Sequence, residues 1–306
     1  MNYGIGIDLG GTQIKGGFFD LKKGKMLAKD SVDSRDGDWE GNVPAFGVEA
    51  RGLVDSLEKR AKKEAEIAGV SAPGLARRDG SAIASLPNRL DGLEGFVWAD
   101  VLGKPGAVLN DAHAALMGEL WQGGAKGLRD VVLLTLGTGV GGAIVADGKL
   151  LRGNIGRAGH LGHLSIDFHS EMRTICGAPG GLEDFVGNHN IVERTGGRFG
   201  TTLALVEAVA GGKDEEAERI WDESMRALAA AISSIANVID PQVVLIGGGI
   251  SKAWKQIEPR VSHWLDEFEW RPGGARVELR RAELGEWAGA YGAVYNATIQ
   301  QGMVDE

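Results

Sequence analysis

The chain has 306 residues, 43% of them hydrophobic and 25% charged, with a formal net charge of −9; that length suits two domains of ordinary size, and the acidic balance excludes the non-specific nucleic-acid binding that excess Lys and Arg would drive. Its single cysteine, Cys176, excludes an internal disulfide and suits a reducing compartment. No run of about 18 apolar residues marks a membrane span, and Met1-Asn-Tyr-Gly leads into strand-like sequence without a targeting signal, so a cytoplasmic protein with no membrane partner is expected.

Residues 4–20 read as a β-hairpin. Gly4-Ile-Gly-Ile-Asp8-Leu-Gly10-Gly11-Thr12-Gln-Ile-Lys15-Gly-Gly-Phe-Phe is an apolar strand, a tight turn of Gly and Thr, and a second apolar strand. A polar, turn-rich stretch follows around 33–41. Phe46, Val48, Leu53, Val54, Leu57 and Ala61 recur near helical spacing and predict a helix over 46–68. Residues 67–74 are strand-like and stopped by Pro73-Gly74, and 80–87 form another short strand. Val108-Leu109 is a strand end that delivers Asn110-Asp111 to a helix over 112–122. A second glycine hairpin comes next: Val131-Val-Leu-Leu-Thr135-Leu-Gly137-Thr138-Gly139-Val-Gly141-Gly142-Ala-Ile-Val. The chain is loop-rich over 154–181. A long helix over 215–239 carries one apolar stripe, Ile220, Met225, Leu228, Ile232, Ile235 and Val238. Asp240-Pro241 ends it, 243–246 is a buried strand, and Gly247-Gly248-Gly249 turns the chain into a helix beginning near Ser251. A strand over 276–279 and a helix over 285–300 close the chain. This order predicts an α/β protein of two related lobes: residues 1–110, joined by a C-terminal helix at about 290–306, and residues 111–289.

With side chains nearly absent at the two turns, backbone N–H groups can approach an anion. Two such turns, with Asn110-Asp111 between them in sequence, suggest half-sites for one nucleoside triphosphate. A P-loop signature is absent. Gly137-Thr-Gly139-Val-Gly-Gly142 matches a dinucleotide fingerprint as letters, but the residues after it read as a strand closed by Asp147-Gly148, where that fingerprint needs a helix. The arrangement fits the two-lobed actin/hexokinase (ribonuclease H-like) ATPase fold. Taken alone, Asp111 suits two roles, a cap on the following helix or a carboxylate that accepts a hydroxyl proton. Lys15 suits a solvated hairpin position as well as a phosphate.

The chain resembles the ROK family of bacterial sugar kinases and related repressors. The resemblance rests on Asp8-Leu-Gly-Gly-Thr-Gln-Ile-Lys15, Pro87-Asn88, Asn110-Asp111, Leu136-Gly-Thr-Gly-Val-Gly-Gly142, Ala158-Gly-His-Leu-Gly-His163, Cys176-Gly to Leu182-Glu183, and Leu245-Ile-Gly-Gly-Gly-Ile-Ser251. It covers essentially the whole length. It implies ATP and Mg²⁺ as cofactors, a hexose substrate phosphorylated at the 6-hydroxyl, and a homodimer. Asp111 is then the catalytic base. Asn88, Asn110, His160, His163 and Glu183 line the sugar. Asp8, Gly10, Gly11, Thr12 and Lys15 sit at the phosphates, with Asp8 near Mg²⁺ directly or through water. Gly137, Thr138 and Gly139 hold phosphates from the other lobe, Gly247, Gly248 and Gly249 meet the adenosine, and sugar binding closes the lobes.

Two departures stand out. The family's Glu-x-Gly-His reads His160-x-Gly-His163, and imidazole accepts one hydrogen bond where a carboxylate accepts several; a changed preference at C1 or C2, as in N-acetylmannosamine or N-acetylglucosamine kinases, is one consequence. Many family members hold a structural zinc with one His and the three cysteines of Cys-x-Cys-Gly-x-x-Gly-Cys; here those three places read Thr174, Cys176 and Gly181, and His163 with Cys176 alone cannot make a four-ligand site, so no structural zinc is expected. Family repressors carry a helix-turn-helix ahead of the first hairpin. Only seven residues precede Asp8, so a repressor is not expected. Leu164-Ser-Ile-Asp-Phe-His-Ser-Glu171 resembles the polyphosphate-using glucokinases, but the late Gly-Gly-Gly turn favours ATP. A non-catalytic sugar sensor is the remaining alternative, against which Asp111 and both turns count.

Overall fold

A computed structural model describes residues 2–303 other than Pro87 and Ile175; the proline of the Pro87-Asn88 motif lies outside the described residues. In chain order the elements are β1 (Tyr3–Leu9), β2 (Gln13–Asp20), β3 (Lys25–Asp33), β4 (Trp39–Glu40), β5 (Val43–Pro44), α1 (Ala45–Ala61), β6 (Ile67–Ala72), β7 (Leu75–Ala76), β8 (Ile83–Ser85), α2 (Trp98–Leu102), β9 (Val108–Asn110) and α3 (Asp111–Gln122). Then come β10 (Val131–Leu136), β11 (Val140–Ala146), β12 (Lys149–Leu150), α4 (Leu182–Val186), α5 (Ile191–Arg194), α6 (Thr202–Gly211), α7 (Glu215–Ile239), β13 (Val243–Gly247), α8 (Trp254–Phe268), β14 (Glu278–Arg281) and α9 (Ala288–Gln300). The described residues divide into two compact units, one drawn from 1–127, 148–158 and 284–306, the other from 128–147 and 159–283. The sequence reading places a break at 110/111. The first unit instead runs on through α3, because α3 packs against α9. None of the described helices is long and apolar enough to cross a membrane.

The first unit is built on a sheet of order β3-β2-β1-β6-β9. β1 runs antiparallel to β2 and parallel to β6, which is parallel to β9. All six residues of β6 are buried, as a strand covered on both faces requires. α1 packs on one side through Phe46, Leu53, Val54 and Leu57. Ile67, Ala290, Val294 and Ala297 form a second cluster with Phe19. α1 stops at Ala61, short of the expected 68, because Lys62 turns left-handed (φ 53°) and closes the helix with backbone bonds to Glu58 and Lys59. The short strand expected over 80–87 is confined to Ile83–Ser85. β3 was not foreseen: its exposed residues alternate with half-buried ones, and its charges mask the period.

The second unit repeats the plan. β11 lies antiparallel to β10, β10 parallel to β13, and β13 parallel to β14. Asp147 (φ 50°) and Gly148 (φ 79°) make the turn after β11, so a strand follows the glycine turn, as the sequence requires. α7 matches its expected bounds. Asp214 caps it by accepting from Ala217 N at 2.9 Å, and Asp240 in the left-handed region ends it before Pro241. Its stripe buries Ile220, Trp221, Met225, Leu228 and Ile232, while the expected stripe member Val238 is exposed. The helix expected near 251 begins as a 3-10 turn over Gly249–Ala253 and becomes α8 at Trp254. Likewise α9 is preceded by a 3-10 turn over Gly285–Trp287, and the last strand lies at Glu278–Arg281, two residues later than expected.

Candidate active site

In the first unit the turn after β1 is closed by Gly10 N donating to Gln13 O at 2.9 Å. Asp8 precedes it, partly buried, and accepts from Ser71 Oγ of β6 at 2.6 Å. Burial pushes the Asp8 carboxyl up to about 6; the Ser71 hydroxyl pulls it back, Asp111 raises it, and Lys15 lowers it. A Cβ placed on Gly289, in the first turn of α9, would lie 2.5 Å from that carboxyl, so only glycine lets the helix start come this close. Lys15 Nζ donates to Glu286 Oε2 at 2.8 Å, which ties the lysine to a carboxylate of this unit. Arg89, which no motif singles out, reaches the turn instead: its Nη2 would lie 3.3 Å from a Cβ on Gly11.

Asn110 and Asp111 divide the work at the start of α3. The Asn110 side chain is buried; Oδ1 accepts from Ala112 N at 3.0 Å and His113 N at 3.3 Å, and Nδ2 donates to Gly74 O at 2.9 Å. The cap is therefore Asn110, and most of its amide is committed to the backbone. Asp111 is an exposed first-turn residue with Oδ1 accepting from Ala112 N at 2.8 Å. Asn88 is exposed and left-handed (φ 63°), on the wall of a cavity of about 730 Å³ shared with Arg89, Asp36, Asp91 and Glu94.

In the second unit Gly137 N donates to Gly139 O at 3.0 Å. A segment the sequence reading passed over holds this turn: Asn188 N donates to Gly137 O at 3.0 Å, and His189 N to Thr138 O at 2.8 Å. Arg194, largely buried, anchors that segment by donating to Phe185 O and Gly187 O. Desolvation lowers its guanidinium to about 10. A cavity of about 520 Å³ opens beside the turn, lined by Gly137, Thr138, Thr202, Leu203, Val206, Gly249, Ile250 and Gln256. Of the late glycines, only Gly249 lines it. Gly247 ends β13, and Gly248 (φ 81°) makes the turn, where a Cβ would strike Leu136 O at 2.3 Å.

Glu183, at the start of α4, is buried, and its Oε2 fills the space a Cβ on Gly139 would need. His163 Nδ1 lies 3.4 Å from Glu183 Oε1, and the carboxylate raises the histidine above its ordinary value. Cys176 Sγ lies 3.6 Å from His163 Nε2. His160 is partly buried just ahead of the 3-10 turn Leu161–His163.

The four positions of the family zinc converge in pairs: Cys176 on His163, and Gly181, whose Cβ would lie 2.1 Å from Thr174 Cγ2. Thr174 and Gly181 supply neither nitrogen nor sulfur, so these residues do not fit a full tetrahedral set. Among the described residues no cluster of three or more His, Cys, Asp or Glu side chains is placed to hold a metal ion. Backbone pairing orders the loop. Ile166 N donates to Gly180 O at 2.8 Å and Gly180 N to Met172 O at 3.0 Å, Ser165 bridges Gly181, and Thr174 Oγ1 accepts from Ala178 N at 3.2 Å.

The sequence model of the ROK family matches residues 4–299. A glucokinase of Streptomyces coelicolor is 31% identical over 96% of this chain and 96% of its own. An N-acetylmannosamine kinase of Citrobacter koseri is 30% identical over 97% and 98%. The crystal structure of a ROK family glucokinase from Streptomyces griseus, in complex with glucose and AMPPNP, superposes with a TM-score of 0.76 at 27% identity, covering 96% of this chain and 99% of that one. The fold is the actin/hexokinase-type α/β fold.

Proposed function

The chain belongs to the ROK family, and on that premise we propose that it is an ATP-dependent sugar kinase, phosphorylating the 6-hydroxyl of a hexose with glucose preferred. The names of its relatives support a sugar kinase and the use of ATP. One observation carries the reading further. Because Asn110 takes the helix cap, Asp111 keeps an exposed carboxylate at the N-terminus of α3. There it accepts the proton of the attacking hydroxyl, the role general-base catalysis of phosphoryl transfer requires.

The turns Gly10-Gly11-Thr12 and Gly137-Thr138-Gly139 each take phosphate oxygens, through the N–H groups of Gly11 and Thr12 and of Thr138 and Gly139, since Gly10 N and Gly137 N close their own turns, and the cavity beside Gly249 takes the adenosine. Lys15, occupied by Glu286, supports this set less directly than Arg89 does. Mg²⁺ fits the oxygen chemistry of Asp8, whose carboxyl is raised first by burial and further by Asp111 and so gains from a nearby cation; when bound, the ion would neutralise the phosphates. Asn88, Asn110, His160, His163 and Glu183 position the sugar. A second reading, an N-acetylmannosamine or N-acetylglucosamine kinase, is favoured by His160 at the motif position and by the Citrobacter koseri relative.

The test is turnover with ATP and Mg²⁺ on glucose, mannose, N-acetylglucosamine and N-acetylmannosamine. Glucose is expected to lead. A lead for N-acetylmannosamine establishes the second reading, and no turnover on any sugar removes both. Asp111→Ala is expected to lower kcat by about 100-fold or more while sugar binding by calorimetry is kept; near-parental kcat would remove Asp111 as the base.

A further inference from the structure

We propose that Cys176 is a nucleophilic thiol with His163 as its base and Glu183 orienting that base, and that its oxidation by hydrogen peroxide weakens hexose binding; the second half rests on the sugar-kinase reading above. Cys176 is exposed and is the only cysteine of the chain. Its Sγ lies 3.6 Å from one ring nitrogen of His163, and the other ring nitrogen lies 3.4 Å from the buried carboxylate of Glu183. Nδ1 makes no aligned hydrogen bond among the described residues; the nearby carboxylate acts on it through its charge, favouring the tautomer that keeps the proton there and leaves the Nε2 lone pair toward the sulfur. The order nucleophile, base, orienting acid is that of an activated nucleophile.

The missing zinc ligands make this chemistry available. A complete His–Cys₃ set would occupy the lone pairs of both Sγ and Nε2. With Thr174 and Gly181 at the other two positions, the thiol and the imidazole face each other directly.

The reaction balances as Cys–SH + H₂O₂ → Cys–SOH + H₂O. His163 Nε2 takes the thiol proton as sulfur attacks one peroxide oxygen. The S–O bond forms and the O–O bond breaks. The departing hydroxide takes the proton back from His163 and leaves as water. Sulfur is oxidised by two electrons and the peroxide is reduced. The chain holds no second cysteine to trap the product, so the sulfenic acid persists until a small thiol condenses with it. The new hydroxyl competes for the ring of His163, a residue assigned above to the sugar.

The test follows labelling of the full-length protein by iodoacetamide at neutral pH, read as one adduct in the intact mass. Cys176 is expected to react about tenfold faster than N-acetylcysteine, and His163→Gln and Glu183→Gln are each expected to slow it. Circular dichroism melts identify any variant that fails to fold, and the two variants report on opposite ends of the relay. Labelling at the rate of N-acetylcysteine in parent and variants would overturn the nucleophile and leave the kinase reading standing. In the second arm peroxide is expected to raise the hexose KM of the parent, dithiothreitol to restore it, and Cys176→Ser to be insensitive. Equal peroxide inhibition of Cys176→Ser would overturn the inhibitory role. An untreated enzyme inactive on every hexose would instead overturn the kinase reading and the hexose half of the proposal, with the labelling result unaffected.

Discussion

Both sheets place an antiparallel hairpin beside two parallel strands, yet they fill the same register position in opposite ways. In the second unit β10 and β13 pair Leu133 with Leu245; in the first, β1 and β6 pair Gly6 with Gly69. A Cβ on Gly6 would lie 1.8 Å from Ala290 O, and one on Gly69 would lie 1.8 Å from Ala293 O. α9 thus rests on bare sheet backbone. The ends of the central strands differ too: Asp8 faces Ser71 where Thr135 faces Gly247. The difference teaches that one topology supports two kinds of glycine turn. Close helix packing brings Gly289 against Asp8 and buries an acid, whereas bulky packing frames a neutral turn beside an apolar cavity.

The largest effect should come from making the first sheet like the second. Gly6→Leu drives a side chain into the backbone of α9, which cannot yield without leaving the sheet; no cooperative melt is expected. The opposite exchange is milder. Leu133→Ala leaves a cavity and is expected to cost about 2–5 kcal/mol in urea unfolding with the fold retained. A folded Gly6→Leu protein of parental stability would dissolve the contrast.

The buried acid gives a smaller, pH-dependent effect. Below the ordinary value of 3.8 Asp8 is protonated in both folded and unfolded chains. Between 3.8 and about 6 the folded chain holds a proton that the unfolded chain has lost, so this residue's contribution to stability falls as pH rises; above about 6 the full penalty is present. Asp8→Asn is therefore expected to stabilise the ligand-free protein by up to about 3 kcal/mol above that window and by nothing below it, while depressing phosphoryl transfer. Thr135→Asn, at the matching position of the other sheet, should show no such pH dependence in thermal melts.

What the sequence makes legible is what is local. The glycine hairpins, β6, α7 and the Asn110-Asp111 junction follow from period, turn residues and caps within a few positions. The end of α1 was misread because Lys62, not a glycine, takes the left-handed position. The site was legible as a set of residues but not as a set of partners. Ser71 meets Asp8 from 63 residues away, and Glu286 meets Lys15 from 271; no spacing rule links such pairs. The clasp of Asn188 and His189 on the second turn uses backbone donors, which leave no side-chain signature, and Arg89 reaches Gly11 through folding alone.

The smallest predicted effect tests the junction on which the kinase reading turns. α3 is capped by the Asn110 side chain, whereas Trp287 at the start of α9 makes no side-chain cap bond. Asn110→Ala removes two bonds to the start of α3 and one to Gly74, and is expected to cost about 1 kcal/mol. Asp111, which already accepts from Ala112 N, is then the remaining side-chain acceptor at the start of α3 and is drawn further onto the helix end, so kcat should fall further than the lost stability explains. Asn110→Asp, which keeps an acceptor at the cap, should recover most of the stability. If Asn110→Ala melts lower yet turns over at the parental rate, the placement of the Asp111 carboxylate does not depend on Asn110. Trp287→Ala offers the comparison: with no side-chain cap to lose at α9, any loss there reports packing, and kcat should follow folded protein alone.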